Sequence, residues 1–405
     1  MGTERDSRIA AMPTGPQPPV DQHDALTSAV RWLLDRITAV SELVTGRPVS
    51  LYAAAVLRIG YSLLYLTFLL REFPYREEIW GPGSPWTPAL AQQLFAQTGW
   101  TSILTLSDSH VYFELCYALA VATSVLFMLG WRTRALSFLF ALVVTSFHAR
   151  AIFMTDGGDN LVLLMALYLV LTACGRRWSL DARRIRLRAA RHETPAPAEP
   201  SHAWQQLRGG LVTLTTVVHN CAMFVIAAQV CFLYGSAGLY KVQGASWGAG
   251  TALHYVLNLQ LFQPWPALSH LVDQHTVAIA IAGYLTVLLQ VAFPFVLFGR
   301  LKYPVLVMLL GMHTGIALLM GLPLFSGAMI VADAAFLPDR FYAALPALFR
   351  SAVLRSGPRR SASSRPTPGT GSVPAQSKSR ELRPQNRSAL DHHTATDLRT
   401  GSERR

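Results

Sequence analysis

From residue 51 to residue 338 the chain repeats one pattern, an apolar run followed by a shorter polar interval. The runs are about 18 to 25 residues long, enough as helix to cross roughly 30 Å of hydrocarbon. The pattern predicts membrane-spanning helices near 51–70, 111–130, 135–152, 159–174, 211–236, 276–298, 303–320 and 322–338. The expected fold class is therefore all-α: a polytopic transmembrane helix bundle of about eight spans, with one membrane domain over residues 49–340. Residues 1–48 form an N-terminal segment with an amphipathic helix. Residues 341–405 form a basic tail, rich in Ser, Pro, Arg and Thr from about Gly357 and expected to be disordered.

Composition agrees with lipid as the solvent. Of 405 residues, 51% are hydrophobic and 14% charged, whereas a soluble domain carries about 25% charged residues. The formal charge of +12 would suit nucleic acid, but Lys and Arg cluster beside apolar segments and in the tail. That is the positive-inside pattern, so no nucleic-acid partner is expected. Arg47, Arg132, Arg134, Arg176, Arg177, Arg300 and Lys302 flank alternate spans on one side, and the other side holds only Arg71, Arg76, Arg150 and Lys241. The count places both termini in the cytoplasm, in a cell membrane. The first thirty residues contain no apolar core, so no cleaved signal peptide is expected. All nine tryptophans fall in loops or at predicted helix ends, where an indole favours the headgroup level. Cys116, Cys174, Cys221 and Cys231 lie in or at the ends of apolar runs without ligand spacing, and read as small hydrophobes, with no metal site.

Two outer loops, 71–110 and 241–275, carry apolar stretches at 90–100 and 253–262. These predict interfacial or re-entrant lids over an outward-facing cavity. The inner loop 176–202 reads as an Arg-rich surface helix followed by a flexible Pro-rich hinge.

An ionisable side chain within a span costs about 2.5 to 3.5 kcal/mol on insertion scales, so each needs a reason. Arg58 lies roughly 12 Å along the first span at 1.5 Å per residue. It either pairs with Asp333 of the last span or snorkels to headgroups, with Asp333 then capping a helix end. Glu114 faces either the cavity or water. His219 and His313 are both placed near mid-bilayer, as interhelical hydrogen-bonding groups or as an alternative haem-ligating pair.

The densest signal runs from Tyr234 to Gly244. Gly238 and its small neighbours admit a helix or ligand close to the backbone, and Lys241 is the one Lys or Arg of its outer loop. Desolvated, Lys241 is a base; at a wet interface it only snorkels. The turn from His148 to Asn160 brings Asp156 and Asp159 close together on the same outer side. Their alternative role is to cap the fourth helix and pair with Arg150.

These segments together resemble the horizontally transferred transmembrane domain (HTTM) family, the membrane half of vitamin K-dependent γ-carboxylases. The resemblance rests on Arg58, TrpGlyPro at 80–82, GlyTrpArgThrArg at 130–134, GlyGlyAspAsn at 157–160 and TrpSerLeuAsp at 178–181. It continues with AlaGlyLeuTyrLys at 237–241, Trp247, His313 and LeuPheSerGlyAlaMet at 324–329. The resemblance implies a cavity for a lipid-soluble quinol, a reduced naphthoquinone of the vitamin K type. Lys241 would be the base, with Asp159 and His148 as further catalytic residues and Asp156, Gly238, Tyr234, Trp247 and His313 in binding. The carboxylases carry a histidine where this chain has Asp159, and they append a β-rich substrate-binding domain where this chain has its tail. A related bacterial branch matures secreted toxin peptides with small accessory proteins. It implies the alternative, a non-catalytic membrane partner in maturation or export of a peptide.

Overall fold

The computed structural model describes residues 22–191, 202–297 and 299–345. The Pro-rich hinge and the tail from residue 346 lie outside the described residues. Among those described, every regular element is helical. In order they are α1 (Gln22–Thr45), α2 (Leu51–Glu72), α3 (Arg76–Trp80), α4 (Pro88–Thr98), α5 (His110–Leu129), α6 (Thr133–Arg150), α7 (Gly157–Leu171) and α8 (Leu180–Ala190). There follow α9 (His202–Val242), α10 (Ala245–Gly248), α11 (Ala252–Leu257), α12 (Pro266–Asp273), α13 (Thr276–Val296), α14 (Lys302–Leu319) and α15 (Pro323–Asp333).

Each predicted span coincides with a helix. Among the described residues, five helical stretches are long and apolar enough to cross a membrane: Leu51–Trp80, His110–Leu129, Ala203–Val242, Thr276–Val296 and Lys302–Leu319. The other three fall short. Helix α6 has 18 residues but carries Arg134, His148 and Arg150, while α7 has 15 residues and α15 has 11. Helices α7 and α15 lie against α2 and against each other, with α6 and α9 beside α7 and α14 beside α15.

The core follows from spacing. Ala53, Leu57, Tyr61, Tyr65 and Leu69 recur every fourth residue along α2, and all are buried. Half of the most apolar window of α2 is buried, against 17% for α14. On α13 and α14 the side chains of Val277, Ile281, Leu288, Phe295, Val307 and Leu318 are exposed. An apolar surface of this extent around the bundle fits a protein solvated by lipid chains.

At the basic end, Arg58 holds three strands of chain together. Its Nη1 donates to the carbonyls of Phe127 and Met128 at 2.8 Å each, and its Nη2 to Trp178 O at 2.6 Å. It is fully buried, so the expectation of a bridge to Asp333, and that of snorkelling, are both corrected. The cation instead meets carbonyls in the last turn of α5, where the helix dipole is negative. Gly130 makes room for it: the residue has φ +72°, and a Cβ there would sit 2.4 Å from Arg58 Nη1. Asp181 closes the same corner, accepting from the backbone N–H groups of Arg132 at 3.0 Å and Thr133 at 2.7 Å and from Thr133 Oγ1 at 2.7 Å. Burial opposes its charge, but these hydrogen bonds and Arg184 hold its carboxyl below the usual range. His219 belongs to this end too. Its Nδ1 accepts from Ala173 N at 3.0 Å and its Nε2 meets Val49 O at 2.8 Å, so both ring nitrogens are engaged and it does not face His313.

Candidate functional site

At the opposite end of the bundle, α2, α3, α6 and α7 enclose a cavity of about 250 Å³. The predicted residues His148, Asp156 and Asp159 all line it, together with Tyr65, Arg71, Glu72 and Trp80. The local sequence explains the convergence. Helix α6 ends at Arg150, a 3-10 turn at Ile152–Met154 reverses the chain, and Asp156 begins α7 as its N-cap.

The two aspartates form a reciprocal capping box. Asp156 Oδ1 accepts from Gly158 N at 2.6 Å and Asp159 N at 3.0 Å, and Asp159 Oδ2 accepts from Asp156 N at 2.9 Å. The capping role is therefore real, but the pairing with Arg150 is not: that guanidinium is fully buried and donates from Nη2 to Gly81 O at 3.1 Å. TrpGlyPro at 80–82 thus ties α3 to α6, with Trp80 Nε1 donating to Phe147 O at 3.2 Å.

Capping engages one oxygen of each aspartate and leaves Asp156 Oδ2 and Asp159 Oδ1 without a protein partner among the described residues. Arg71, the one arginine of the cavity wall, pairs with Glu72 at 2.5 Å. Tyr65, only 6% exposed, presents a buried hydroxyl with no hydrogen-bond partner. Phe68, Trp80 and Phe147 supply aromatic walls, and Trp80 packs edge-on against both phenylalanines at 5.6 and 5.4 Å. His148 is 8% exposed and packs its ring against Trp100 at 5.8 Å. Such a site suits a ligand with a cationic or hydrogen-bond-donating group beside an apolar body. Glu114 stays outside it, paired with Arg76 at 2.9 Å.

Lys241 is not among the residues lining this cavity. It sits half-buried at the end of α9, its Nζ 3.4 Å from Ala237 O and 5.3 Å from the centre of the Trp247 ring. Gly238 serves helix packing: a Cβ there would meet Val291 N at 2.9 Å and Val291 Cγ2 at 2.8 Å, so it sets the close approach of α9 to α13. Tyr234 and His313 lie deeper in the bundle, hydrogen-bonded to each other at 3.0 Å, and Asp333 accepts from the Tyr234 hydroxyl at 2.9 Å. The predicted residues therefore fall into three separate groups.

The apolar loop stretches are helical, but the residues of 90–100 and 253–262 do not line the cavity. Its cover is α3 with the turn at 152–155. Helix α4 packs Ala91 and Phe95 against Ala149 and Trp100 instead. Sequence reasoning did not single out Tyr65, Glu72 or Trp80 as wall residues. The available signal for Tyr65 was a tyrosine on the buried stripe of α2 near the turn of aspartates. A further polar tie, also not anticipated, joins α11 to α12: Asp273 accepts from Asn258 Nδ2 at 2.9 Å and lies 2.7 Å from His254 Nδ1. These contacts, Asn258 foremost, hold the Asp273 carboxyl below its ordinary range.

No protein-family model, curated protein or solved structure matches the chain.

Proposed function

We propose that the chain is an integral membrane protein of the HTTM type, similar to the membrane half of vitamin K-dependent γ-carboxylases. In this reading eight helices cross the cell membrane with both termini cytoplasmic. The three short helices do so within the bundle, and the arginines around Arg58, Arg132 and Arg176 face inward. The cavity then opens outward and binds an exported peptide through a basic side chain, as a non-catalytic partner in its maturation or export. The observation that carries the reading is the pair of aspartates in the cavity wall, each with one oxygen outside the capping box, beside the unpartnered Tyr65 hydroxyl and within aromatic walls. A lysine or arginine side chain supplies the charge, the donors and the aliphatic stem that such walls accommodate.

The test uses the full chain in lipid nanodiscs and synthetic peptides that differ only in one residue, lysine or norleucine. The expected result is saturable binding of the lysine peptide, lost with norleucine and weakened in Tyr65→Phe. Equal binding of the two peptides would remove the reading.

A second reading, a quinol-oxygenating enzyme with Lys241 as base, is favoured by the half-buried Lys241 ammonium, whose nearest hydrogen-bond acceptor is a carbonyl 3.4 Å away. It predicts quinone epoxide from reduced naphthoquinone and oxygen with the native chain, and none with Lys241→Ala.

A further inference from the structure

In the interior, three polar side chains from three helices form one hydrogen-bonded chain. Tyr234 of α9 donates its hydroxyl proton to Asp333 Oδ2 of α15 at 2.9 Å, and His313 Nε2 of α14 lies 3.0 Å from the same hydroxyl. All three are buried, at 1%, 8% and 2% exposure. Since the one hydroxyl proton goes to the carboxylate, the imidazole must carry its proton on Nε2 and donate it to the tyrosine oxygen. The two outer ends of the chain, His313 Nδ1 and Asp333 Oδ1, are buried with no partner.

A structural polar network in an apolar interior is ordinarily closed, because each unpaired buried atom costs free energy. Here an acceptor nitrogen stands open at one end and a carboxylate oxygen at the other. Phe293 packs on Tyr234 at 4.6 Å and Phe325 on His313 at 6.1 Å, so the surroundings are aromatic. Facing groups are few. From α2 comes Tyr61, whose hydroxyl is occupied by Ala328 O at 2.8 Å, and from α13 comes the uncharged Gln290, one turn from Phe293. Among the described residues, no lysine or arginine forms an ion pair with Asp333. Phe325 also lines a recess of about 20 Å³ that shares Tyr65, Phe68, Asp156 and Asp159 with the main cavity. The His313 ring therefore lies one side chain, Phe325, from that recess.

We propose that Tyr234, His313 and Asp333 form an intramembrane proton-binding relay loaded from the cavity end. A proton from water adds to His313 Nδ1. The imidazole passes its Nε2 proton to the Tyr234 oxygen, and Tyr234 passes its own proton to Asp333 Oδ2. One proton enters, the tyrosine hydroxyl is regenerated, the histidine ends as the Nδ1–H tautomer, and the carboxylate ends as the neutral acid. No other bond is made or broken, and no oxidant or reductant is needed. The proposal does not depend on what the cavity binds.

The experiment is a pH titration of the full chain in nanodiscs, read by infrared difference spectroscopy of carboxyl C=O bands and by nitrogen NMR of labelled histidine. Acidification is expected to raise one carboxylic acid band while one buried histidine switches from Nε2–H to Nδ1–H at the same midpoint. The band disappears in Asp333→Asn and the histidine signal in His313→Gln. In Tyr234→Phe the acid band persists, displaced in frequency by the loss of its partner, and the tautomer switch is lost. Should Asp333→Asn fail to fold, that displacement in Tyr234→Phe, with labelled aspartate, assigns the band. Three results would overturn the relay: a His313 imidazolium with Asp333 still ionised, a tautomer switch whose midpoint differs from that of the carboxyl band, or a switch that survives Tyr234→Phe.

Discussion

The two ends of the bundle use similar residues to opposite effect. At the basic end Arg58 directs two of its three nitrogens to three carbonyls, Asp181 accepts three hydrogen bonds, and Gly130 has the shape that lets the guanidinium in. At the cavity end Asp156 and Asp159 each keep an oxygen free, and Tyr65 keeps a buried hydroxyl unpaired. Charged residues in short recognisable stretches are found at both ends, so their presence does not distinguish a clamp from a binding site. The extent of hydrogen bonding differs: at the basic end three carbonyls and both oxygens of Asp181 are engaged, with Arg58 Nε left unpaired, whereas at the cavity end the buried Tyr65 hydroxyl makes no hydrogen bond at all.

Breaking the clamp should have the largest effect. Arg58→Met takes the guanidinium donors from the carbonyls of Met128 and Trp178 and one of two donors from Phe127 O, and should destabilise the protein by about 3 kcal/mol or more, seen as a lowered unfolding midpoint in detergent. A fully folded Arg58→Met protein with an unchanged midpoint would mean that the clamp contributes nothing. Asp181→Asn comes next, at about 1 kcal/mol, because the amide retains one acceptor oxygen. The same residue sets a pH dependence. Its folded carboxyl lies below the unfolded value of about 3.9, so its stabilisation is complete above that pH and is lost as pH falls through the lower folded value. Comparison of wild type and Asp181→Asn across acid pH should show the difference between them vanishing.

The cavity end should respond in the other sense. Tyr65→Phe removes a hydroxyl that has no partner, so the unfolding midpoint should hold or rise slightly, while binding of a basic peptide weakens by about 1 kcal/mol, roughly fivefold. A loss of stability instead would make Tyr65 part of a second clamp. The smallest effect is expected at Trp247→Leu, which removes the ring beside the half-buried Lys241 ammonium at 5.3 Å and costs about 0.5 to 1 kcal/mol.

Much of the helical framework was legible because a hydrophobic run reports directly on burial and length. Apolar stretches of span length became α2, α5, α9, α13 and α14, and the turn of glycines and aspartates became a helix start where the capping alternative placed it. Arg58 was legible as a residue needing a reason, but not its partners. Backbone carbonyls leave no mark in sequence, and so a carboxylate 275 positions away looked like the obvious counter-charge. Asp333 likewise had no readable link to Tyr234, which lies 99 positions away in the chain. His148, Asp156 and Asp159 were expected at one site and do share one, because a single short turn joins α6 to α7. Lys241 was expected with them and is not among the cavity residues, since its position depends on where α9 ends against α13.

By itself, then, the chain's order of residues determined the helices, their approximate ends and their apolar character, all consequences of local periodicity and of the cost of placing polar backbone in hydrocarbon. Which polar side chains are satisfied and which stand open was decided only by the tertiary structure, because hydrogen bonds are short-ranged and their partners come from helices far apart in the sequence.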